Sequence, residues 1–227
     1  MAIASDHLHQ SIATQTFGER LKEISMFFDA TDRIHQTMRR VAGKLDEAGI
    51  AYALVGGMAV NAHRHPRTTG DVDFLITLQG IGEFVRTSVP GQFDPYPGNP
   101  RRFVDRTTGV TFGFLITGRF PGSGKPGPIA YPDPISVSQT IDNTRVVNLQ
   151  TLIELKLAAG RHKDFGDVVE LIRVHNLDES FLPKIHAAVH GDFIECLEEK
   201  RREDEYEACE SRAFEKILKP DLPPSGE

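Results

Sequence analysis

Apolar side chains recur every three or four positions at 21–45, which predicts one face of a long helix that ends near Gly49. A short apolar run with β character follows at 51–55. Gly56 and Gly57 come directly after that run, and they precede a segment of helical character. The pattern therefore predicts a strand, a glycine turn and a helix in succession.

Polar and apolar positions alternate strictly in the next strand-like segment, which begins at Asp71. Val72, Phe74 and Ile76 then point to one face of the strand, while Asp71 and Asp73 share the other. Like charges at neighbouring positions on one face repel each other, and aspartate is depleted from strands. The pair therefore indicates a bound cation, and the alternative is two carboxylates that merely face solvent.

The second half of the chain alternates between loops and regular elements. A β-hairpin is predicted around a turn at 107–109, between Gly- and Pro-rich loops at 90–100 and 118–134. One more strand is predicted at 144–149. Three helices then follow, at 151–159, 164–174 and 192–218. We expect an α+β (α/β-like) fold with a short mixed β-sheet flanked by helices.

This pattern divides the chain into four parts. They are an N-terminal helical segment packing on the core at 1–50, a core at 51–148, a helical C-terminal portion at 149–218 and a disordered tail at 219–227.

Composition narrows the class of protein. A chain of 227 residues with 39% hydrophobic and 26% charged residues is ordinary for a globular protein. No apolar run approaches the roughly 20 residues that span a bilayer, and the first residues lack a secretory signal. We therefore expect a cytoplasmic protein without a membrane segment. Cys196 and Cys209 have no metal-ligand spacing around them and are expected to be free thiols.

The formal net charge of −6 argues against broad electrostatic capture of nucleic acid and favours a small substrate or a protein partner. The nine histidines are scattered and form no metal-binding motif. We expect His63 and His65 to contact substrate or to have a structural role.

The glycine turn and the carboxylate pair together suggest a site for a phosphorylated ligand. Without a Cβ, Gly56 and Gly57 let backbone N–H groups approach a phosphate, and the helix N-terminus that follows adds a favourable dipole. Taken alone, a glycine pair after a strand is more often just a tight turn. Asp71 and Asp73 follow closely, however, and Mg²⁺ is commonly held by one or two carboxylates together with substrate phosphates.

The sequence LVGGMAVNAHRHPRTTGDVDFLI at 54–76 resembles the nucleotidyltransferase superfamily with the DNA polymerase β-like fold, particularly small bacterial proteins of the toxin–antitoxin and abortive-infection type. The resemblance is specific over 51–78 and weaker through about residue 175. It implies a nucleotidyltransferase core that transfers a nucleoside monophosphate from a nucleoside triphosphate, ATP being our guess, to a hydroxyl acceptor with Mg²⁺ or Mn²⁺. The acceptor is left open among a tRNA end, a protein side chain and a small molecule, and a cognate protein partner is a further expectation.

The resemblance also implies roles for single residues. Asp71 and Asp73 would ligate the metal and be catalytic. Nucleotide binding falls to the glycine turn, to an R-x-T spacing and to a lysine further on: Gly56, Gly57, Arg67, Thr69 and Lys156. Lys163, Asp164 and Asp167 would border the site. The alternative for Lys156 is a lysine that lies along the protein surface.

One position departs from the family's pattern. A third carboxylate usually stands on a neighbouring strand, but the aligned residue here is Gly113, which binds no metal and takes no proton. Asp105, Glu83 or Asp133 would have to supply the missing ligand. Otherwise the protein uses one metal with a substrate-borne base, or it has lost catalysis while still binding nucleotide.

The segment GRFPGSGKP at 118–126 has some features of a P-loop, but its glycine spacing and its final proline depart from that motif. Its length and glycine content instead indicate a lid or a partner-binding loop, in which Lys125 or Arg119 would touch substrate.

Three classes of function therefore compete. An active nucleotidyltransferase is favoured. The alternative is a catalytically degraded nucleotide-binding or toxin–antitoxin partner module, and a purely structural interaction protein ranks third.

Overall fold

The computed structural model describes residues 33–218 of the chain. The first part of the long predicted helix, from residue 21 to residue 32, and the predicted tail at 219–227 lie outside the described residues.

Seven strands form one mixed sheet within the described residues. In chain order they are β1 (Tyr52–Val55), β2 (Asp71–Ile76), β3 (Phe93–Pro95), β4 (Arg102–Asp105), β5 (Thr111–Ile116), β6 (Ser138–Ile141) and β7 (Thr144–Val147).

Eight α-helices surround the sheet in the same part of the chain. They are α1 (Arg33–Glu47), α2 (Gly56–Ala62), α3 (Leu78–Thr87), α4 (Val89–Gln92), α5 (Pro134–Val137), α6 (Leu149–Ala159), α7 (His162–His175) and α8 (His190–Leu218). Two 3₁₀ turns, Glu179–Lys184 and Ala187–Val189, connect α7 to α8. The predicted α+β fold class with a mixed sheet flanked by helices is confirmed.

The strand order is β3-β4-β5-β2-β1-β7-β6, so β2 lies in the middle of the sheet. It pairs in antiparallel fashion with β1 and in parallel with β5. The two aspartates of β2 are therefore not on a solvated sheet edge, and both neighbouring strands constrain their positions.

One face of the sheet carries a cluster of phenylalanines. The ring of Phe84 from α3 lies 5.0 Å from the ring of Phe114, and the rings of Phe93 and Phe112 are also 5.0 Å apart. Phe74 of β2 and Phe103 of β4 complete the cluster, and all six rings are buried. Such pairs contribute roughly 0.5–1.5 kcal/mol each beyond the burial of apolar area. This face is therefore the closed core, and the aspartates occupy the opposite face.

The local predictions hold well around β1 and β2, and they fail between β2 and β4. Helix α2 begins at Gly56, directly after β1, so no separate turn lies between the strand and the helix. Helix α3 was not predicted, because two glycines interrupt its pattern. A Cβ on Gly80 would lie 2.8 Å from Ile76 Cγ1, so this glycine lets α3 approach the sheet. The Thr77 side chain caps the helix by accepting a hydrogen bond from Gly80 N.

The C-terminal helices follow their sequence signals. Asn148 caps α6 by accepting a hydrogen bond from Thr151 N at 2.9 Å, and Gly160 ends it with φ of +65°. Helix α7 starts two residues earlier than predicted.

Among the residues that the structure describes, we find no helix with the length and apolar character that a bilayer span requires. Cys196 and Cys209 are both free, as predicted.

Candidate active site

The candidate site is built where β1 turns into α2 beside β2. Val55, the last residue of β1, pairs with Asp73 across the sheet. Gly56 follows with φ of +67°, and a Cβ there would lie 2.9 Å from Asp73 Oδ2. Two independent constraints therefore require glycine at this position, a left-handed backbone and the close approach of a carboxylate. The sequence prediction that Gly56 and Asp73 belong to one site agrees with this geometry.

Asp71 and Asp73 converge on a single cation supplied by the chain. Nη2 of Arg102 donates a hydrogen bond to Asp71 Oδ2 at 3.0 Å and lies 3.9 Å from Asp73 Oδ1. Thr69 Oγ1 lies 3.5 Å from the other oxygen of Asp71. The two carboxylates thus share a face and a cation, as the alternation of β2 predicts, but the cation is a guanidinium that the sequence analysis did not identify.

The environment of Asp73 disfavours its charge. Burial, followed by the negative charge of Asp71, raises the pKa of Asp73 to about 6, although Arg102 and the more distant Arg161 oppose the rise. Burial and the charge of Asp73 also raise the pKa of Tyr131. A second cation near Asp73 would therefore be electrostatically favourable.

Gly57, Arg67 and Thr69 form a packed unit of their own. A Cβ on Gly57 would lie 2.7 Å from Thr69 Oγ1 and 3.2 Å from Arg67 Nη2. Nη1 of Arg67 donates to both carboxylate oxygens of Asp167, at 2.6 and 2.8 Å. The space above Gly57 is thus filled by side chains of this protein, whereas Gly56 lines the cleft described below.

Lys156 is neither a surface lysine nor free to reach a ligand. Its side chain is only 7% exposed, and Nζ lies 3.2 Å from Asp164 Oδ1 and 2.5 Å from Asp167 Oδ2. Arg161 donates to both oxygens of Asp164. Together with Arg67 these residues form a charge chain, defined as Arg67, Asp167, Lys156, Asp164 and Arg161, which links the α2–β2 loop to α6 and α7.

A cleft of about 540 Å³ opens beside Asp73 and Gly56. Leu152 and Leu155 of α6 form part of its wall. Its charged lining residues are mainly basic: Arg101, Arg102, Arg119, Lys156 and Arg161, against Asp73 and Asp164. Within the described residues, the side chains of Arg101 and Arg119 form no ion pair with a carboxylate. The cleft therefore offers two uncommitted cations to an anionic ligand.

The glycine-rich loop at 118–134 covers one side of this cleft. Gly118 N donates to Tyr131 O and Tyr131 N donates to Arg119 O, both at 2.8 Å, so the two ends of the loop are tied together. Gly122, with φ of +64°, would place a Cβ 2.8 Å from Ala159 O at the end of α6. The loop contributes Arg119 to the cleft, but Lys125 lines a separate cavity beside Leu157.

Within residues 33–218, none of the three proposed substitutes brings a third carboxylate to Asp71 and Asp73. Gly113 pairs with Asp73 on one side and with Arg102 on the other. Asp105 lies on the opposite face of the sheet, where it is fully buried and accepts hydrogen bonds from Arg40 Nε at 2.9 Å and from Thr107 N. The expectation that Asp105 is an accessory ligand is therefore wrong. Strand alternation puts Asp105 and Arg102 on opposite faces of β4, so the carboxylate of Asp105 points away from the site.

The other two substitutes for the missing ligand also have different partners. Glu83 forms an exposed ion pair with Arg86 on α3, and Asp133 caps α5 by accepting from Ile135 N. Neither belongs to the described residues that line the cleft. Lys163 and Asp167 line a second cavity, between α7 and α8, while Asp164 lines the main one.

The histidines near the site have structural partners. His63 is buried, and its Nε2 lies 2.8 Å from Val147 O; burial lowers its pKa. Nε2 of His175 contacts His63 O at 2.9 Å. His65 lies 3.8 Å from Glu170. Of the two alternatives for His63, the structural one agrees with these contacts.

Sequence reasoning missed Arg102, Arg161 and Tyr131. Arg102 reaches Asp71 from a strand two positions away in the sheet, so no local spacing reveals it. A signal existed for Arg161, because it precedes a helix with an acid three residues later and follows the Gly160 helix end.

No family model matches the chain, and no curated protein matches it. Solved structures do resemble it. A Thermotoga maritima protein, provisionally described as a nucleotidyltransferase, is 12% identical over 61% of this chain and 91% of its own, with a TM-score of 0.41. A Helicobacter pylori protein of the same provisional description is 16% identical over 82% of both chains, with a TM-score of 0.40.

A third similar structure is that of ANT(2")-Ia in complex with adenylyl-2"-tobramycin. It is 12% identical over 70% of this chain and 96% of its own, with a TM-score of 0.44. Two of these three structures are thus described, provisionally, as nucleotidyltransferases. Identities and TM-scores this low leave the substrates and the chemistry to be argued from the site itself.

Proposed function

We propose that this protein is a nucleotidyltransferase that moves a nucleoside monophosphate from a nucleoside triphosphate to a hydroxyl acceptor. One observation carries the proposal. The carboxylates of Asp71 and Asp73 reach the same cationic nitrogen beside Gly56, at the edge of a cleft with uncommitted arginines. Two anions that share a cation next to a polyanion-binding surface are what phosphoryl transfer of this kind requires.

A divalent cation fits this donor set. Carboxylate oxygens are hard ligands, and Mg²⁺ is typically held by one or two of them while phosphates and water complete its shell. Within residues 33–218, no three side chains of His, Cys, Asp or Glu form a group able to hold a metal ion. Asp71 and Asp73 would therefore be the only carboxylates that hold Mg²⁺ or Mn²⁺ there. When bound, the ion would neutralise the phosphates and polarise the reacting phosphoryl group.

The cleft residues have separate roles in this proposal. Arg101 and Arg119 bind the triphosphate, because their guanidinium groups have no competing carboxylate. Leu152 and Leu155 give the base an apolar wall. Lys156 has two buried carboxylate partners, so it acts by holding α6 against α7 rather than by reaching a phosphate directly.

The reaction is an in-line displacement. The acceptor oxygen attacks the α-phosphorus, the bond from that phosphorus to the bridging oxygen breaks, and pyrophosphate leaves. Gly113 offers no carboxylate to take the acceptor's proton, so that proton goes to a base that the substrate itself carries. A phosphate oxygen of the nucleotide is such a base.

The charge of the cleft restricts the classes of donor and acceptor. ATP is the donor to test first. A cationic acceptor is disfavoured by the arginines of the cleft, which leaves a tRNA end, a protein hydroxyl, or a neutral or anionic small molecule. We place the reaction in the cytoplasm, where ATP and Mg²⁺ are abundant.

The proposal predicts that transfer of label from [α-³²P]ATP to an acceptor requires Asp73. Asp73→Asn keeps the shape of the side chain and removes the metal-binding charge, so label transfer should fall at least about a hundredfold. Asp94→Asn is the matched control, because Asp94 is an exposed strand residue paired with Arg106. Equal transfer by wild type and Asp73→Asn would contradict the proposal.

A second function is favoured by Gly113 and Arg102. A chain with no third carboxylate and with a guanidinium at its carboxylate pair suits a nucleotide-binding module that has lost catalysis, including a partner in a toxin–antitoxin pair. Binding of ATP without any transfer, together with transfer gained in Gly113→Asp, would support this function. The carboxylate that Gly113→Asp introduces needs Arg102 to move, since a Cβ at this position lies 3.4 Å from Arg102 Cγ and 3.0 Å from Asp73 Oδ1.

A further inference from the structure

A row of three residues crosses the sheet at the candidate site. Asp73 of β2 is opposite Gly113 of β5, and Gly113 is opposite Arg102 of β4. All three positions lie on the same face, and Gly113 adds no side chain between the other two. The side chain of Arg102 can therefore lie across β5 and reach the carboxylates on β2.

The fit of Arg102 over Gly113 is close. A Cβ on Gly113 would lie 3.4 Å from Arg102 Cγ and 3.7 Å from Nε, which is ordinary contact distance, and 3.0 Å from Asp73 Oδ1, which is tight enough to require a small shift of that carboxylate. The backbone of Gly113 has no positive φ that would explain the glycine. A side chain at this position would therefore crowd the oxygen of Asp73 and, where it extends beyond Cβ, would meet Arg102.

The guanidinium of Arg102 lies close to both carboxylates of the pair. Its Nη2 lies 3.0 Å from Asp71 Oδ2 and 3.9 Å from Asp73 Oδ1, so it sits within reach of both charges. Its side chain is 37% exposed and lines the cleft, which leaves it a route away from the carboxylates. The glycine that removes a carboxylate from the site thus also admits a cation.

We propose that Arg102 is the residue that determines how tightly the carboxylate pair binds a divalent cation, because its guanidinium competes for the same oxygens of Asp71 and Asp73. The inference rests on the proposed function, in which those two residues hold the ion. It adds that the free protein binds the ion weakly, and that Arg102 must give up both contacts before Asp71 and Asp73 act as ligands. Arg102 thus sets the affinity of the carboxylate pair for the divalent cation, and it is not a catalytic residue.

The test measures Mn²⁺ binding to the full-length protein by electron paramagnetic resonance, without nucleotide. Arg102→Gln removes the competing charge and should bind Mn²⁺ about tenfold to a hundredfold more tightly than wild type, as expected for one charge about 4 Å from the ion in a partly solvated site. Arg102→Lys keeps a charge on a flexible stem, and its affinity should stay within about threefold of wild type.

The matched control is Arg101→Gln. Arg101 precedes Arg102 in the chain, lines the same cleft and has no carboxylate partner among the described residues, so its replacement lowers the local charge by the same amount. The Mn²⁺ affinity of this variant should stay within about threefold of wild type. Only the long-range repulsion between Arg101 and the ion is lost, and dissolved salt screens that repulsion. Thermal unfolding of each variant checks that it folds.

Two results would overturn the inference and separate it from the proposed function. Equal tightening in Arg101→Gln and Arg102→Gln would show a general charge effect and no competition, while leaving Asp71 and Asp73 as ligands. Unchanged affinity in a folded Arg102→Gln protein that binds Mn²⁺ would do the same. Absence of Mn²⁺ binding in all variants, with or without ATP, would instead remove the metal site on which both proposals depend.

Discussion

At the scale of single residues, the site depends on close approaches that only glycine permits. Gly56 and Gly113 stand on either side of Asp73, and a Cβ on either would lie within 3.0 Å of one of its two carboxylate oxygens. The two glycines thus leave room on both sides for the Asp73 carboxylate. The Asp71–Asp73 pair was predictable because strand alternation is a local rule, whereas the convergence on Arg102 depends on pairing with a strand about 30 residues away.

The raised pKa of Asp73 predicts a pH-dependent change in stability. Its pKa is about 6 in the folded protein against 3.8 when unfolded, so the unfolded chain loses this proton first as the pH rises. Folding stability from this group is therefore fully present below pH 3.8 and is lost as the pH rises through 6.

Asp73→Asn, which cannot ionise, should avoid that loss. In the presence of EDTA it should be more stable than wild type at pH 7–8 by about 1–2 kcal/mol, and the difference should vanish below about pH 4. Urea unfolding across this pH range measures the difference. A constant difference at all pH values would show that Asp73 does not titrate near pH 6.

At the scale of elements, the charge chain connects α6 and α7 to the α2–β2 loop. Lys156 lies between Asp164 and Asp167, which are 1% and 6% exposed at their side chains, and Arg67 binds Asp167 across 100 residues of sequence. These residues were singled out from a family resemblance as ligands or neighbours of the nucleotide. Their pairing with one another could not be predicted, because residues so distant in sequence meet only after the helices pack on the sheet.

Removing Lys156 should lower the stability of the fold, because each of its two buried carboxylates would lose one of its two cationic partners. Lys156→Met keeps the length of the side chain but strands Asp164 and Asp167 with only their arginine partners, so we expect a loss of about 3 kcal/mol in the free energy of unfolding. Lys200→Met is the matched control, since Lys200 makes a partly exposed pair with Asp204 and should cost less than about 1 kcal/mol. Similar losses in both variants, measured by chemical unfolding, would contradict a structural role specific to Lys156.

At the scale of the whole molecule, charge is unevenly distributed. The chain has a net charge of −6, yet the charged residues that line the cleft are mainly basic. Composition alone gave no reason to expect a basic surface, because the basic side chains come from separate parts of the chain: β4 and the residue before it, the loop at 118–134, α6, and the residue before α7. Such a local concentration attracts an anionic ligand even when the molecule as a whole is acidic.

This distribution predicts salt-sensitive nucleotide binding that depends on Arg119. Arg119→Gln should weaken ATP binding roughly threefold to tenfold and reduce its dependence on salt concentration, because an exposed phosphate contact is strongly screened. Arg86→Gln is the control, as Arg86 pairs with Glu83 on an exposed helix away from the cleft. Equal affinities for Arg119→Gln and wild type at low salt, measured by calorimetry, would remove Arg119 from the binding surface.

The contacts of Asp105 have a practical consequence for shortening the protein. Arg40 Nε and Thr37 Oγ1, both on α1, lie 2.9 and 3.4 Å from its Oδ2. A truncation that cuts into α1 would deprive a fully enclosed acid of these partners and loosen the strand that carries Arg102. Shortened versions of the protein should therefore retain Thr37 and Arg40, because losing these residues would disturb the site from the far side of the sheet.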